Sequence, residues 1–530
     1  MSNYSPEHDK WLNFQLICKP EQSGKTFIMI AQIVRGLTPS IQGKEIVNII
    51  LCDNNLLLAK QTSSRVQSDV KRGVKIAVAL KKAFSHWKAA YGIAAAEVPE
   101  KNLAKYVDDE GVVYIELSSH GRTEFHDVGA VFTAIIGKEK ARNIICCTNR
   151  KRMDDIATLI EEINDCPDRK NKYQFNIWLD EADKFIKFID TTLIPTVDKH
   201  DNVKCKLITA TPQPLFKKYK SMDVFPIENT TSEKYHGWDD NHIRIIDHDG
   251  DCAEFAEHVL SKVIGKIKPG TKLFIPGKRN KKSHDEIKKL CVKRGIAVIC
   301  VNGDGLKLTL PYTRESIVFA KDDDLNSMIM KIYTDHKLAR FPLAITGYIC
   351  IGRGITIMSE NFMIDYAILS HYSDKNEASQ LAGRTKGNIK GYENYKPPTV
   401  FTTEDFDSIA REWEGKSRIL AEMAFEKEQN GEAPVITARE LYPTKVDTDK
   451  DHRVFDTQEE ALEFAKETLD LSLFKRKTSE APKELQVDGK NPTSVELFKR
   501  MWGINAKSPV RMSPTLDHKW CVYWRPSLLK

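Results

Sequence analysis

The chain has no C-x-x-C pair, although it carries 11 cysteines in 530 residues. That absence argues against zinc fingers and ribbons, and the scattered spacing, with Cys146 and Cys147 adjacent, offers no disulfide framework. A reducing compartment fits. No apolar run is long enough to cross a bilayer, and the polar start MSNYSPEHDK lacks the basic-then-apolar layout of a secretory signal. The expectation is a soluble, intracellular protein of the cytoplasm or nucleus, with no membrane partner. An excess of one charge is also missing. With 80 basic against 74 acidic residues the net charge is +6, too slight for this length to imply nucleic acid by itself. The 14 histidines are dispersed, and each reads as a packed or surface residue, His371 included.

What is present is a globular composition, 41% hydrophobic and 29% charged, on a chain long enough for roughly three domains. Up to about Gly270, short apolar runs alternate with longer amphipathic stretches, the rhythm of a parallel sheet flanked by helices. The strand candidates are Phe14 to Cys18, Val47 to Cys52, Asn143 to Cys147, Phe175 to Leu179 and Lys206 to Ile208. The rhythm restarts at Lys272 to Ile275, Ala297 to Val301, Pro342 to Thr346 and Ile364 to Ser370. Ser283-x-x-Glu286 reads as a capping box opening a helix with Ile287, Leu290 and Cys291 inward and Gly295 at its end. Polar residues from Glu228 to Asp240 lack periodicity and read as the join. A further capping box, Thr457-x-x-Glu460, opens a helix near the end of the chain.

The segment Lys19-Pro20-Glu21-Gln22-Ser23-Gly24-Lys25-Thr26 follows a strand and precedes an amphipathic helix. Such a loop aims backbone N–H groups at phosphate oxygens, while Lys25 reaches the β and γ phosphates and the Thr26 hydroxyl binds Mg²⁺. Gln22, Ser23 and Gly24 complete the cradle. The consensus has Gly or Ala where Lys19 stands, and often Gly where Gln22 stands. A plain helix-start turn with an exposed lysine is the competing reading.

A second cluster, Ile177-Trp178-Leu179-Asp180-Glu181-Ala182-Asp183, sets two acids at the end of an apolar strand. Asp180 is suited to hold Mg²⁺ and Glu181 to orient or deprotonate an attacking water. LDEAD resembles the motif that names the DEAD-box-like helicases, and Thr209-Ala210-Thr211-Pro212 is similar to their S/T-A-T motif, whose hydroxyls link the ATP site to domain closure. The DNNLLLAKQ segment from Asp53 to Gln61, with Asn55, and the run Cys147-Thr148-Asn149-Arg150 resemble loops that contact the nucleic-acid backbone. Gln380-Leu381-Ala382-Gly383-Arg384 resembles the Q-x-x-G-R core of the last motif, in which the arginine reaches the γ-phosphate. Thr346-Gly347 with Gly352-Arg353-Gly354 resembles the preceding motif, and KLFIPGK, Lys272 to Lys278, the strand and turn that open the second domain.

In order and spacing these motifs resemble superfamily 2 helicases of the DEAD/DEAH-like type, with those of large DNA viruses and phages as the nearest flavour; a viral origin would place the protein in the host cell. The resemblance implies two tandem RecA-like parallel-sheet domains, 1–228 binding ATP and 229–403 forming the helicase C-terminal domain, followed by a smaller mixed accessory region, 404–530. It implies an ATP hydrolase that couples hydrolysis to strand translocation and unwinding, with ATP and Mg²⁺ as cofactors and nucleic acid as partner, DNA modestly ahead of RNA. The alternatives are a duplex translocase without unwinding and a non-catalytic ATP-gated clamp. The chain also departs from the pattern: Gly387 stands where a second arginine is usual, leaving Lys386 or Lys390 as substitutes, and a lysine is a point charge rather than a planar fork. Thr356 replaces the aspartate that meets the ribose, and little chain precedes Lys19 to supply an adenine-reading glutamine.

Basic residues at Lys278-Arg279-Asn280-Lys281-Lys282 could hold phosphates or form a solvated loop. In the tail, Lys499, Arg500, Lys507, Arg511, Lys519 and Arg525 alternate with Phe498, Trp502, Trp520, Tyr523 and Trp524. Bases stack on such aromatics, but aromatics packing a small domain are the more frequent cause of the pattern.

Overall fold

The computed structural model describes residues 14–36, 44–53, 62, 66, 114–119, 123–137, 141–228, 230–278, 280–302, 305–311, 313, 315–319, 325–347, 357–442, 451–471, 510–514, 519–524 and 529–530. Two compact units emerge, Met1–Val435 and Ile436–Lys530. Asn55, Gln61, Arg279, Gly354 and the tail residues from Phe498 to Lys507 lie outside the described residues.

The front lobe of the larger unit is built on a six-stranded sheet. Its strands are β1 (Phe14–Cys18), β2 (Glu45–Cys52), β3 (Tyr114–Leu117), β4 (Asn143–Cys147), β5 (Tyr173–Asp180) and β6 (Val203–Thr209), in the order β1-β6-β5-β2-β4-β3. Every pairing is parallel. Parallel sheets bury both faces, which is why these strands read as unbroken apolar runs: Ile17, Ile49, Ile50, Ile144, Ile177 and Leu207 are all fully buried. Polar exceptions inside the sheet are paired. The Trp178 indole donates to Asn48 at 3.0 Å and the Asn48 amide to Asn143 at 3.1 Å, a ladder across β5, β2 and β4.

Register then decides where the chemistry lies. Cys18 pairs with Thr209 and Asp180 with Ile208, while Cys52 pairs with Cys147. The segments following β1, β2, β4, β5 and β6 therefore leave one edge of the sheet, the carboxyl edge where open α/β sheets bind ligands.

After the short strand β7 (Ser221–Asp223) comes the rear lobe, an eight-stranded sheet in the order β12-β11-β10-β13-β9-β14-β15-β8. The strands are β8 (His242–Ile245), β9 (Lys272–Phe274), β10 (Ala297–Asn302), β11 (Gly305–Thr309), β12 (Ser316–Phe319), β13 (Leu343–Gly347), β14 (Tyr366–Leu369) and β15 (Thr399–Thr402). Six are parallel, and β11 and β12 add an antiparallel hairpin at one edge. These are tandem RecA-like α/β sheets. The expected strands recur with ends shifted by a few residues, while β3, β8, β11, β12 and β15 carried no signal that was read from the sequence.

Three local readings need correction. The helix expected from Ser283 runs Lys281–Lys293, and its N-cap is Asn280, whose side chain accepts from the Ser283 N–H. Asparagine outcompetes serine here because Ser283 is inside the first turn, its hydroxyl donating to the Lys278 and Asn280 carbonyls. The Glu228 to Asp240 join is no loose linker: Tyr235, His236 and Trp238 are buried, and the Trp238 indole donates to Asp407 at 2.7 Å. Nor does the packing change at 404. A long helix, Glu404–Gln429, opens on Thr403 as N-cap with Glu404, Asp405 and Asp407 in its first turn, charges that suit the positive end of the helix dipole. Phe406, Ile409, Ala410 and Trp413 enter the rear core. Further along, the Ser417 hydroxyl donates to the Ala210 carbonyl at 2.5 Å and the Ala421 carbonyl accepts from Ile227 at 3.4 Å, so one helix straps both lobes.

The smaller unit holds a three-stranded antiparallel sheet, β17 (Asp451–Phe455), β19 (Trp520–Trp524) and β18 (Val510–Pro514), preceded in the chain by the short strand β16 (Val435–Thr437). Its helix Gln458–Thr468 starts with the expected capping box of Thr457 and Glu460. Tyr523 is buried, and Trp524 sits with Ala461, Ala465, Met512 and Val522 in the core. The described tail aromatics thus pack the unit's own interior. Among the described residues no helix is long and apolar enough to cross a membrane.

Candidate nucleotide site between the lobes

The loop after β1 carries two left-handed residues, Gln22 at φ +58° and Gly24 at φ +98°. Positive φ explains why glycine is favoured at both positions; Gln22 holds the conformation at a cost of about 1–3 kcal/mol. Ser23 braces the curve, its hydroxyl donating to the Pro20 carbonyl at 2.7 Å. The helix Lys25–Gly36 follows at once, with Met29, Ile30 and Ile33 buried. Lys25 and Thr26, half-buried, stand on its first turn.

Opposite the loop, β5 ends at Asp180, whose carboxylate accepts from the Glu181 N–H at 3.0 Å. Burial pushes the Asp180 carboxyl above its ordinary value, Lys25 pulls it back, and Asp53 and Asp183 add to the upward push. Lys25 and the acidic cluster are therefore electrostatic neighbours. Glu181 turns left-handed at φ +52° and is buried. Lys184, one residue past the acids, is ion-paired with Asp53 after β2. Thr209 donates to Asp183 at 2.8 Å, and its oxygen accepts from the Thr211 N–H at 3.0 Å, so TATP is tied to LDEAD by buried bonds.

The rear lobe brings Gln380 on the helix Lys375–Ala382 and Arg384 in the following tight turn, both 2% exposed. The Gln380 amide nitrogen has no hydrogen-bond partner among the described residues, a costly state for a buried donor and one an incoming oxygen would relieve. This segment rests on the loop after β1. A Cβ on Gly383 would come within 2.7 Å of Glu21 Cβ, and one on Gly387, at φ +143°, within 3.4 Å of Gln22 Cβ. Gly383→Ala is therefore expected to cost about 1–3 kcal/mol, since overpacking moves the backbone. An unaltered melting profile in that variant would mean the two segments do not meet.

Sequence reasoning missed the network that fastens this contact. The Glu21 carboxylate accepts from the Ser379 hydroxyl and from Lys386 Nζ at 3.1 Å. Lys386 also meets Glu414 on the long helix at 3.1 Å, and Glu414 is further paired with Arg418 and accepts from the Trp238 N–H at 2.9 Å. Tyr235 adds a bond from its hydroxyl to the Glu21 carbonyl at 3.1 Å. Burial alone would lower the Lys386 pKa, but Glu21 and Glu414 outweigh it and hold the ammonium above its usual value. Lys386 is thus committed to carboxylates, and Lys390 pairs with Asp240 at 2.9 Å. Glu21 gave no signal because Ser379 and Lys386 lie hundreds of residues away, and Glu414 gave none because only the fold buries it beside Lys386.

The expected nucleic-acid residues fall into two groups. Thr148 is buried with its hydroxyl donating to the Cys52 carbonyl at 2.7 Å, Asn149 caps the helix Arg150–Asn164 by accepting from the Arg152 N–H at 3.2 Å, and Thr346 is fully buried. Arg150 is exposed, and Lys278 is half-exposed beside Asp251 at 3.0 Å.

Among solved structures the chain is similar to the DEAD-box helicase Mss116 bound to ssRNA and UDP-BeF, at 14% identity over 80% of this chain and 81% of that one, with a TM-score of 0.41. No family model matches, and no curated protein matches significantly.

Proposed function

We propose that the chain is an ATP-driven nucleic-acid motor of the helicase type, binding nucleotide between its two lobes and preferring DNA modestly over RNA. One observation carries the reading: the Gln380 to Gly387 segment of the rear lobe is seated on the Glu21 to Gly24 loop of the front lobe, so groups from both lobes border the same loop. In this reading the loop N–H groups and Lys25 take the β and γ phosphates. Glu181 orients the attacking water and accepts its proton. Arg384 and Gln380 stabilise charge on the transferring phosphoryl group as its bond to the leaving oxygen breaks. Thr26 and Asp180 offer the hard oxygen donors that suit Mg²⁺, which when bound would neutralise phosphate charge. Thr209, bonded to Asp183 and to Thr211, passes the state of the acidic loop to the Ser417 helix through Ala210, and nucleic acid runs across both lobes, with the exposed Arg150 as a cation for its backbone.

A second reading, a clamp gated by ATP with little turnover, is favoured by the commitment of Lys386 and Lys390 to carboxylates, which leaves Arg384 without a second cation from its own motif. An ATPase assay with single- and double-stranded DNA and RNA as activators separates the two. Stimulated turnover supports the motor, and binding without turnover supports the clamp. In the same assay Lys25→Ala should lose about 100-fold in rate, the order expected for removing one positioned charge, read against a melting curve because Lys25 also offsets the buried Asp180 carboxylate. Normal turnover in that variant would sink the site assignment.

A further inference from the structure

Lys19 opens the phosphate loop at the position where related loops carry glycine or alanine, and its side chain is unusual in its surroundings. It is only 9% exposed. Among the described residues it has no hydrogen bond or ion pair, and the charge acting on it is another cation, Lys25; burial first and Lys25 second push its pKa down to about 8. Glu21, two residues on, is already committed to Ser379 and Lys386, and Asp180 is balanced by Lys25. A largely buried lysine beside a like charge is destabilised unless an anion joins it. On the rear-lobe segment that rests on this loop, the Gln380 amide nitrogen is a buried donor lacking an acceptor among the described residues.

We infer that Lys19 is a second phosphate-binding lysine, placed to meet the triphosphate of the nucleotide together with Lys25. The inference rests on the nucleotide reading above and adds a ligand to it. It also accounts for charge. With Lys386 withdrawn into the Glu21 and Glu414 pair, a cation on the front-lobe side replaces the one that the rear motif no longer supplies. A lysine at the base of the loop, with four methylenes and a compact charge, can reach along the cradle where a guanidinium fork from the rear lobe is missing.

The prediction has opposite signs in two measurements on the full-length protein. Lys19→Met should weaken Mg·ATP binding by about 10-fold or more, the order for a charge-assisted hydrogen bond, while raising the melting temperature measured without nucleotide, because a buried unpaired charge has gone. AMP binding, which lacks the outer phosphates, should change far less. Lys19→Arg should restore most of the ATP affinity. Binding by equilibrium dialysis with radiolabelled ATP, run beside Lys25→Met, separates the failures. If Lys25→Met loses affinity and Lys19→Met keeps it, the second lysine is refuted and the site stands. If wild type and both variants all bind ATP equally or not at all, the nucleotide reading falls and takes this inference with it. A lower melting temperature in Lys19→Met together with undiminished ATP affinity would assign the side chain to packing and overturn the proposal.

Discussion

Arg384→Ala should lower nucleic-acid-stimulated turnover by about 10³-fold, the lower end of what an arginine meeting a transferring phosphoryl group contributes, while the affinity for ATP falls much less. The difference follows from where charge develops. On the proposed reading the loop and Lys25 meet the γ-phosphate in the ground state, whereas the extra charge of the transition state needs a planar donor from the other lobe. Arg384 is positioned to be that donor because the turn Gly383–Thr385 lies on the loop. Arg384→Lys should recover little, since a point charge cannot reproduce the fork. The residue is buried, so the loss must be read against a melting curve. Single-turnover rates that match wild type in a folded Arg384→Ala protein would remove the arginine from the reaction.

Lys386→Met should cost about 3–5 kcal/mol of stability, the usual price of removing one member of a buried ion pair, and show as a lower denaturant midpoint for the larger unit. Lys386 is 2% exposed and stands between Glu21 and Glu414; its loss leaves two carboxylates in a poorly solvated site. Glu21→Gln should cost less, because Lys386 keeps Glu414, and the double variant should cost less than the sum of its parts, as coupled neighbours do. The pH dependence has a definite sign. In wild type, burial acts to raise the Glu414 pKa, but Lys386, the Trp238 N–H and Arg418 hold it below its ordinary value, so its contribution is complete above the unfolded-state value of about 4.3 and is lost as pH falls through the native one. Without Lys386, the main influence opposing burial is gone and the Glu414 carboxyl pKa moves up. Protons then bind the native state first, and the variant's deficit should shrink as pH is lowered from 7 towards about 4.3. A deficit independent of pH would show that the lost stability comes from packing and not from charge.

Much of the site was legible because its determinants are local. A lysine and a threonine after a left-handed glycine, two acids at a strand end, and Thr209-Ala210-Thr211 after the next strand each need only their own few residues. The same holds for the strands of the front sheet, whose apolar runs follow from burial on both faces. In the edge hairpin, β11 does alternate, with Leu306 and Leu308 inward, and its signal was overlooked, whereas β12 is an edge strand with Val318 exposed and no buried face to read. Thr148 and Asn149 looked like phosphate ligands by type, but inward bonds to Cys52 and to the helix start occupy them.

Short-range chemistry therefore accounts for the nature of the two loops and for the class of sheet that presents them, since a tight anion-binding turn and a buried parallel strand are properties of contiguous residues. It does not account for the pairing of those loops across the lobes. Glu21, Lys386 and Glu414 are ordinary surface-type residues until three distant segments enclose them. The long helix Glu404–Gln429 becomes a strap only because Trp413 finds the rear core and Ser417 finds Ala210. Which charges are buried, and so which are committed to the protein and which are left for a ligand, is a property of solvent exclusion, and solvent is excluded only when remote parts of the chain come together.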